Sequence, residues 1–373
     1  MTLLETLGYL RSPTFIRPDQ LQRLPANELV FALRLAHQKC QTFGSKRATG
    51  QFQGAYVLQR EANSPATPVV YLVQVDSDAA ARRVHQFVWN QNQTPFLIVE
   101  SPSTVRVYPG FSFNRDTDRP LCEVAHGAAG FLKQLSAFRA ESIDDGSLWK
   151  VWAHAVDPSQ RVDEALLRDL RVLDQRLQHH DGMDRTASHA LIGKFVYLKY
   201  LRHRGILSDK KLAKWEIDPD HLFTDRVTLR AFQKVNEELQ DWLNGSVFSL
   251  GDGAALKPTA NQLKLVASVF AGDSPVGMKG LQKSLFSRYD FSDIPIETLS
   301  CVYEQFLHDA KEEDGSSRGK TLGAPCSADL PRVSSARMVV ADLAQIGVSP
   351  VTSTVSCVSI CEMLRRTCLG ELD

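Results

Sequence analysis

The sequence predicts an α+β protein with a mixed α/β module over residues 1–122, a mainly helical region over 123–314, and a linker with an irregular tail over 315–373. Three observations predict this. Short apolar runs rich in β-branched and aromatic residues, bounded by Pro and polar turns, are confined to the first part of the chain. Beyond residue 122 the apolar residues recur at three- and four-residue spacing instead. At Pro325 both patterns stop, and the composition changes with them.

Taken in order, Glu28 to His37 reads as a helix, and Ala55 to Gln59 and Val69 to Val75 as strands separated by a Pro-containing turn. Asp76 to Val88 reads as a helix, and Thr94 to Glu100 and Thr104 to Tyr108 as two strands joined at Ser101-Pro102-Ser103. In the helical region, Leu166, Leu170, Leu173 and Leu177 mark one amphipathic helix over Arg161 to Gln178. A second runs from Asp184 to Arg204, with Leu191, Phe195, Leu198 and Leu201 on one face and Gly205 as its stop. A third spans Phe232 to Leu243 and is expected to stop at Gly245.

The last helix has the clearest entry signal, in the stretch from Tyr289 to Leu307. Pro295 suits a first helical position, because its φ is already helical and its missing N–H would be unpaired there. Glu297 sits in the first turn, where the helix dipole favours an acid. Leu299, Val302, Tyr303, Phe306 and Leu307 form an apolar stripe. Left without a partner domain, that stripe predicts a sticky surface.

Composition limits the function classes. Lys plus Arg number 43 and Asp plus Glu 43, so no global basic field announces nucleic acid. A local one exists: between Lys194 and Lys234 ten Lys and Arg stand against five Asp and Glu. Met1 to Gly8 has no basic segment leading into an apolar run, so no signal peptide is expected. No apolar run reaches the roughly 18–20 residues a bilayer crossing needs. Seven cysteines in 373 residues do not make a small disulfide framework, and a cytoplasmic protein is expected.

The stretch Tyr289-Asp290-Phe291-Ser292, Ile294-Pro295, Glu297, Leu299, Tyr303-Glu304, Phe306-Leu307 and then Gly323-Ala324 resembles the entry to the catalytic domain of N6-adenine DNA methyltransferases of restriction-modification systems. The segment Phe195 to Ser208, with its Arg204-Gly205-Ile206-Leu207 ending, and the loop Asn244 to Gly251 resemble the same family. So, more weakly, do Trp89 to Ile98 and Val105 to Phe111, which implies an endonuclease-like α/β module at the N-terminus. The resemblance implies duplex DNA as partner, a separate methylase chain as a further one, and no membrane. It implies S-adenosylmethionine as cofactor for a full-length member.

Where the family continues with two aromatics and Thr-Pro, this chain reads Pro325-Cys326-Ser327-Ala328. Nowhere does it contain Asn-Pro-Pro or Asp-Pro-Pro, the motif whose polar and aromatic groups hold a flipped adenine in that family. No cofactor, no catalytic residue and no metal ligand is therefore assigned within this chain, and no methyl transfer is expected of it alone. The 49 residues from Pro325 hold no Phe, Tyr, Trp or Lys, and four of the seven cysteines. A shifted reading frame accounts for this break: codons for Asp329 to Ser334, read one base later, can spell Thr-Tyr-Leu-Ala-Tyr, which fits the family's sequence. A natural divergent extension is the other account.

What the chain is expected to keep is DNA contact, through Lys194, Lys199, Arg202, Arg204, Lys210 and Lys211 acting on phosphates rather than bases. A metal-dependent nuclease is the alternative, but the best strand, Val69 to Val75, carries no acid-x-Lys pair; only Glu61, Asp76 and Asp78 could be recruited. A non-catalytic subunit of a methylase complex is a third reading. Gly315 to Thr321 lacks the spacing and preceding strand of a phosphate loop. His179-His180-Asp181 reads as a solvated turn, and Cys357, Cys361 and Cys368 lack zinc spacing. Trp149, Trp152, Trp215 and Trp242 read as core.

Overall fold

The computed structural model describes residues 2–42, 50–58, 66–114, 119–128, 130–243, 257–272 and 286–313. The chain divides into two compact units, Met1–Ala165 and Leu166–Asp373. The first is mixed α/β and the second, over its described residues, helical.

In the first unit, helix α1 (Leu3–Thr6) precedes strand β1 (Phe15–Ile16) and helix α2 (Glu28–Cys40). Strands β2 (Gln51–Leu58) and β3 (Thr67–Gln74) are followed by helix α3 (Asp78–Gln91), then β4 (Phe96–Glu100), β5 (Thr104–Pro109) and β6 (Cys122–Ala125). The six strands lie in chain order in one sheet. Every neighbouring pair is antiparallel except β3 and β4, which run parallel because α3 carries the chain back between them. Side-chain alternation sorts the strands cleanly. Tyr71, Val73, Leu97 and Val99 face α2 and α3, while Val70, Leu72, Phe96 and Ile98 face the opposite cluster. That opposite cluster is closed by α1 and by helices α4 (Phe131–Gln134), α5 (Ala140–Asp144) and α6 (Ser147–Trp152), through Leu135, Phe138, Ile143 and Leu148.

The sequence reading ends the module at 122; the compact unit extends to Ala165, with β6 in the sheet and α4 to α6 on one of its faces. Trp149 and Trp152 pack against that face, as a core reading expects.

The second unit comprises most of α7 (Val162–His179), then α8 (Arg185–His203), α9 (Asp209–Lys214), α10 (Asp220–Phe223), α11 (Leu229–Leu243), α12 (Ala260–Ala271) and α13 (Ile296–Glu313). Asp184 starts α8 by accepting from the Thr186 and Ala187 N–H groups. Gly205 ends it at φ +73, a left-handed conformation that costs glycine nothing. Phe195 of α8 stacks on Phe232 of α11 at 5.7 Å and meets Phe270 of α12 at 5.7 Å.

The stripe on α13 is covered. Leu299, Val302, Tyr303 and Phe306 are all buried. Phe306 lies 4.7 Å from the His189 ring of α8, and the Tyr303 hydroxyl donates to the His189 carbonyl at 3.4 Å. The expected sticky surface is thus absent, because the unit buries the stripe against itself at roughly 1.5–3 kcal/mol gained per large apolar side chain. Pro295 stands one residue before the helix rather than in it, its carbonyl accepting from Leu299 N–H at 3.1 Å. The expected stop at Gly245, the motif residues Gly323 and Ala324, and everything from Asp314 onward lie outside the described residues.

Candidate nucleic-acid interface

The six cations singled out from the sequence separate into two environments. Lys194 is half-buried on α8, and burial pushes its pKa down to about 8. It stands about 140° round the helix from Lys199, on a different face. The other five gather at the end of α8 and along α9.

Lys199 and Arg202, three residues apart, flank one ring: their charged groups lie 5.8 and 5.7 Å from the centroid of Phe223 in α10. Arg202 also holds the turn between α8 and α9. Its Nη1 donates to the Leu207 carbonyl at 3.0 Å, and its Nη2 pairs with Asp209. Arg204 is exposed, with its guanidinium 5.3 Å from the Tyr200 ring. Ser208 caps α9 by accepting from Lys211 N–H at 3.3 Å, which sets Lys210, Lys211 and Lys214 along the helix. Lys210 and Lys214 are exposed.

Lys211 is the most elaborated of them. Its Nζ lies 2.9 Å from the centroid of Trp242 on α11 and 5.4 Å from that of Trp215, and the two indoles meet edge to face at 6.1 Å. Both indoles are half-buried, so the core reading of Trp215 and Trp242 gives way to a surface cation–π cluster. Burial and the neighbouring Lys214 hold the Lys211 pKa below its ordinary value. The four-residue step from Lys211 to Trp215 was available in the sequence. Trp242 comes from a separate helix and carried no such signal.

The acids proposed for a nuclease are differently placed. Asp78, at the start of α3, pairs with Arg106 of β5 at 2.5 Å, and Glu123 of β6 pairs with the same guanidinium at 2.9 Å. Asp76 follows β3, and Glu61 lies outside the described residues. Among the described residues no three of His, Cys, Asp and Glu are grouped to hold a metal ion, and no helix is long and apolar enough to cross a membrane.

Residues of the stretch from Arg288 to Phe306 make specific contacts on α7 and α8. Tyr289 and Arg288 reach Asp169 of α7. His203 Nδ1, at the end of α8, lies 3.2 Å from Asp290 Oδ1 and 3.1 Å from the Phe291 nitrogen. Ser292 donates to Asp290 from both its N–H and its hydroxyl, at 2.9 and 2.7 Å. No family model, curated protein or solved structure matches the chain.

Proposed function

We propose that this chain is the DNA-positioning N-terminal part of a site-specific N6-adenine DNA methyltransferase of the restriction-modification type, and that its own activity is to hold duplex DNA by the phosphates. The supporting observation is that the motif residues and the cations share one unit. Tyr289, Asp290 and Phe306 are anchored on α7 and α8, and α8 with the adjoining α9 carries Lys199, Arg202, Arg204, Lys210 and Lys211. On this reading Arg204, Lys210 and Lys211 are the chief phosphate contacts. Lys194 is set aside, because it is half-buried and stands on a different face of α8 from Lys199.

The mixed sheet of the first unit, with its parallel β3–α3–β4 step, suits the endonuclease-like module that the resemblance implies. We assign it positioning rather than cutting, since Asp78, one of the acids such a site would recruit, is paired with Arg106. Adenine methylation, with S-adenosylmethionine, belongs to the catalytic domain that the motif introduces in that family.

Titration of a labelled duplex with the protein tests the reading. Affinity is expected to fall steeply between about 50 and about 200 mM salt, as release of counterions from several phosphates requires. Absence of binding at the low-salt end would overturn it.

A further inference from the structure

The face of α9 is arranged as a lysine surface whose neighbouring acids are already occupied. Asp209 is bound by Arg202, and Glu216 by Lys234 of α11 at 2.9 Å. Among the described residues no carboxylate pairs with Lys210, Lys211 or Lys214. Lys210 and Lys214 are four residues apart and share one side of the helix. Between them in sequence, Lys211 rests on Trp242.

The indole cluster is built at some cost. Glu216, directly after Trp215, holds a left-handed φ of +52, which a side-chain-bearing residue adopts only when its surroundings require it. That conformation reverses the chain after α9, with Ile217 N–H donating to the Leu212 carbonyl at 2.9 Å. It also aims Glu216 at Lys234, tying the end of α9 to α11, the helix that carries Trp242.

We propose that Trp215 and Trp242 are positioning residues for Lys211, and that Lys210, Lys211 and Lys214 form the face that meets the phosphates of duplex DNA. The inference rests on the DNA-binding reading above. A free lysine loses rotamer freedom when a phosphate fixes it. Lying on an indole face, Lys211 has lost much of that freedom beforehand, so the contact costs less on binding. An ammonium has three donors, and a ring below it leaves the others for phosphate oxygens. Such contacts orient the duplex and carry no sequence information.

Salt-dependent binding of one labelled duplex separates charge from positioning. Lys211→Met is expected to weaken binding and to reduce the slope of log affinity against log salt by about 0.9, one phosphate contact. Trp242→Leu keeps every charge, so it is expected to weaken binding about twofold to fivefold with the slope unchanged, and Trp242→Phe to recover most of the loss. The exposed pair Lys210→Gln with Lys214→Gln, which disturbs no packing, is expected to reduce the slope by about 1.8.

Wild-type protein that does not bind at all removes the DNA-binding reading itself. If wild type binds while the Lys210 and Lys214 pair and Lys211→Met leave the slope unchanged, that reading stands and this face is not the contact. Should Trp242→Leu bind as wild type does, or Trp242→Phe fail to restore affinity, the positioning role is refuted. Far-ultraviolet circular dichroism of each variant checks its folding, and the paired lysine variant decides the location of the face even if the tryptophan variants do not fold.

Discussion

The Tyr289 hydroxyl donates to Asp169 Oδ2 at 2.6 Å, and Arg288 Nη2 reaches the same oxygen at 2.7 Å. Asp169 is 4% exposed, so this carboxylate depends on the two donors for what water would otherwise supply. Removing one donor is expected to cost less than removing the acid. Tyr289→Phe should lower stability by about 1–3 kcal/mol, and Asp169→Ala by about 3–5 kcal/mol, because the latter removes the carboxylate that both Arg288 and the buried Tyr289 hydroxyl bind. Urea midpoints of the two variants check the order; a larger loss for Tyr289→Phe would contradict it.

Acid stability depends on two other carboxylates. Burial works against ionisation of Asp174, but hydrogen bonds from His189, Ser188 and Gln178 outweigh it, and its pKa is lowered. Burial also opposes ionisation of Asp290, where His203 and Ser292 outweigh it more strongly. Both groups stabilise the fold above the ordinary aspartate value of about 4, and that contribution is lost as pH falls from there through their lowered folded values. Asp169 acts in the opposite sense. Burial raises its pKa despite Arg288 and Tyr289, so its contribution is greatest at low pH and lost as pH rises through its folded value. Asp174→Asn should therefore flatten the loss of stability below about pH 4. Parallel pH profiles for this variant and wild type would refute the assignment.

Lys194 has the same sign as Asp174 and Asp290, but in an alkaline window. Its pKa is pushed down to about 8 by burial, so above that value the folded protein sheds a proton that the unfolded chain keeps to about 10.4. Stability from this group should rise with pH across that window. Lys194→Met is expected to stabilise the protein at neutral pH by about 1–3 kcal/mol and to remove the rise. Urea melts at neutral and alkaline pH would show both effects.

Gly110 follows the end of β5, beside the residues that lead into β4, at a point where no side chain fits. A Cβ there would stand 2.0 Å from the Thr94 carbonyl oxygen, while its N–H donates to the Pro95 carbonyl at 2.6 Å. Gly110→Ala is expected to destabilise the first unit by about 3 kcal/mol or more, since backbone must move to admit the methyl group. A variant that melts within a degree of wild type would rule out so close an approach.

The legible parts of this chain were those that repeat a local pattern. The run Val69 to Val75 identified β3 to within two residues at either end, and the leucines of α7 and α8 fixed those helices nearly residue for residue. Two-residue β1 and four-residue β6, Cys122–Ala125, are too short to show a period, and they pair only because a neighbouring strand is present. The cluster of cations was legible as a local excess of charge. Its internal differences were not, because they arise from partners on other helices: Trp242 for Lys211, and Phe223 for Lys199 and Arg202.

The placement of the indoles has an optical consequence. Of the five tryptophans, Trp89, Trp149 and Trp152 fall in the first unit, and Trp215 and Trp242 are the whole tryptophan complement of the second. Both lie against the Lys211 ammonium. In a protein with phenylalanine at the first three positions, intrinsic fluorescence would come almost entirely from the indoles beside the proposed phosphate face. Emission would then follow the approach of an anion to Lys211 and the unfolding of the helical unit, with no label attached.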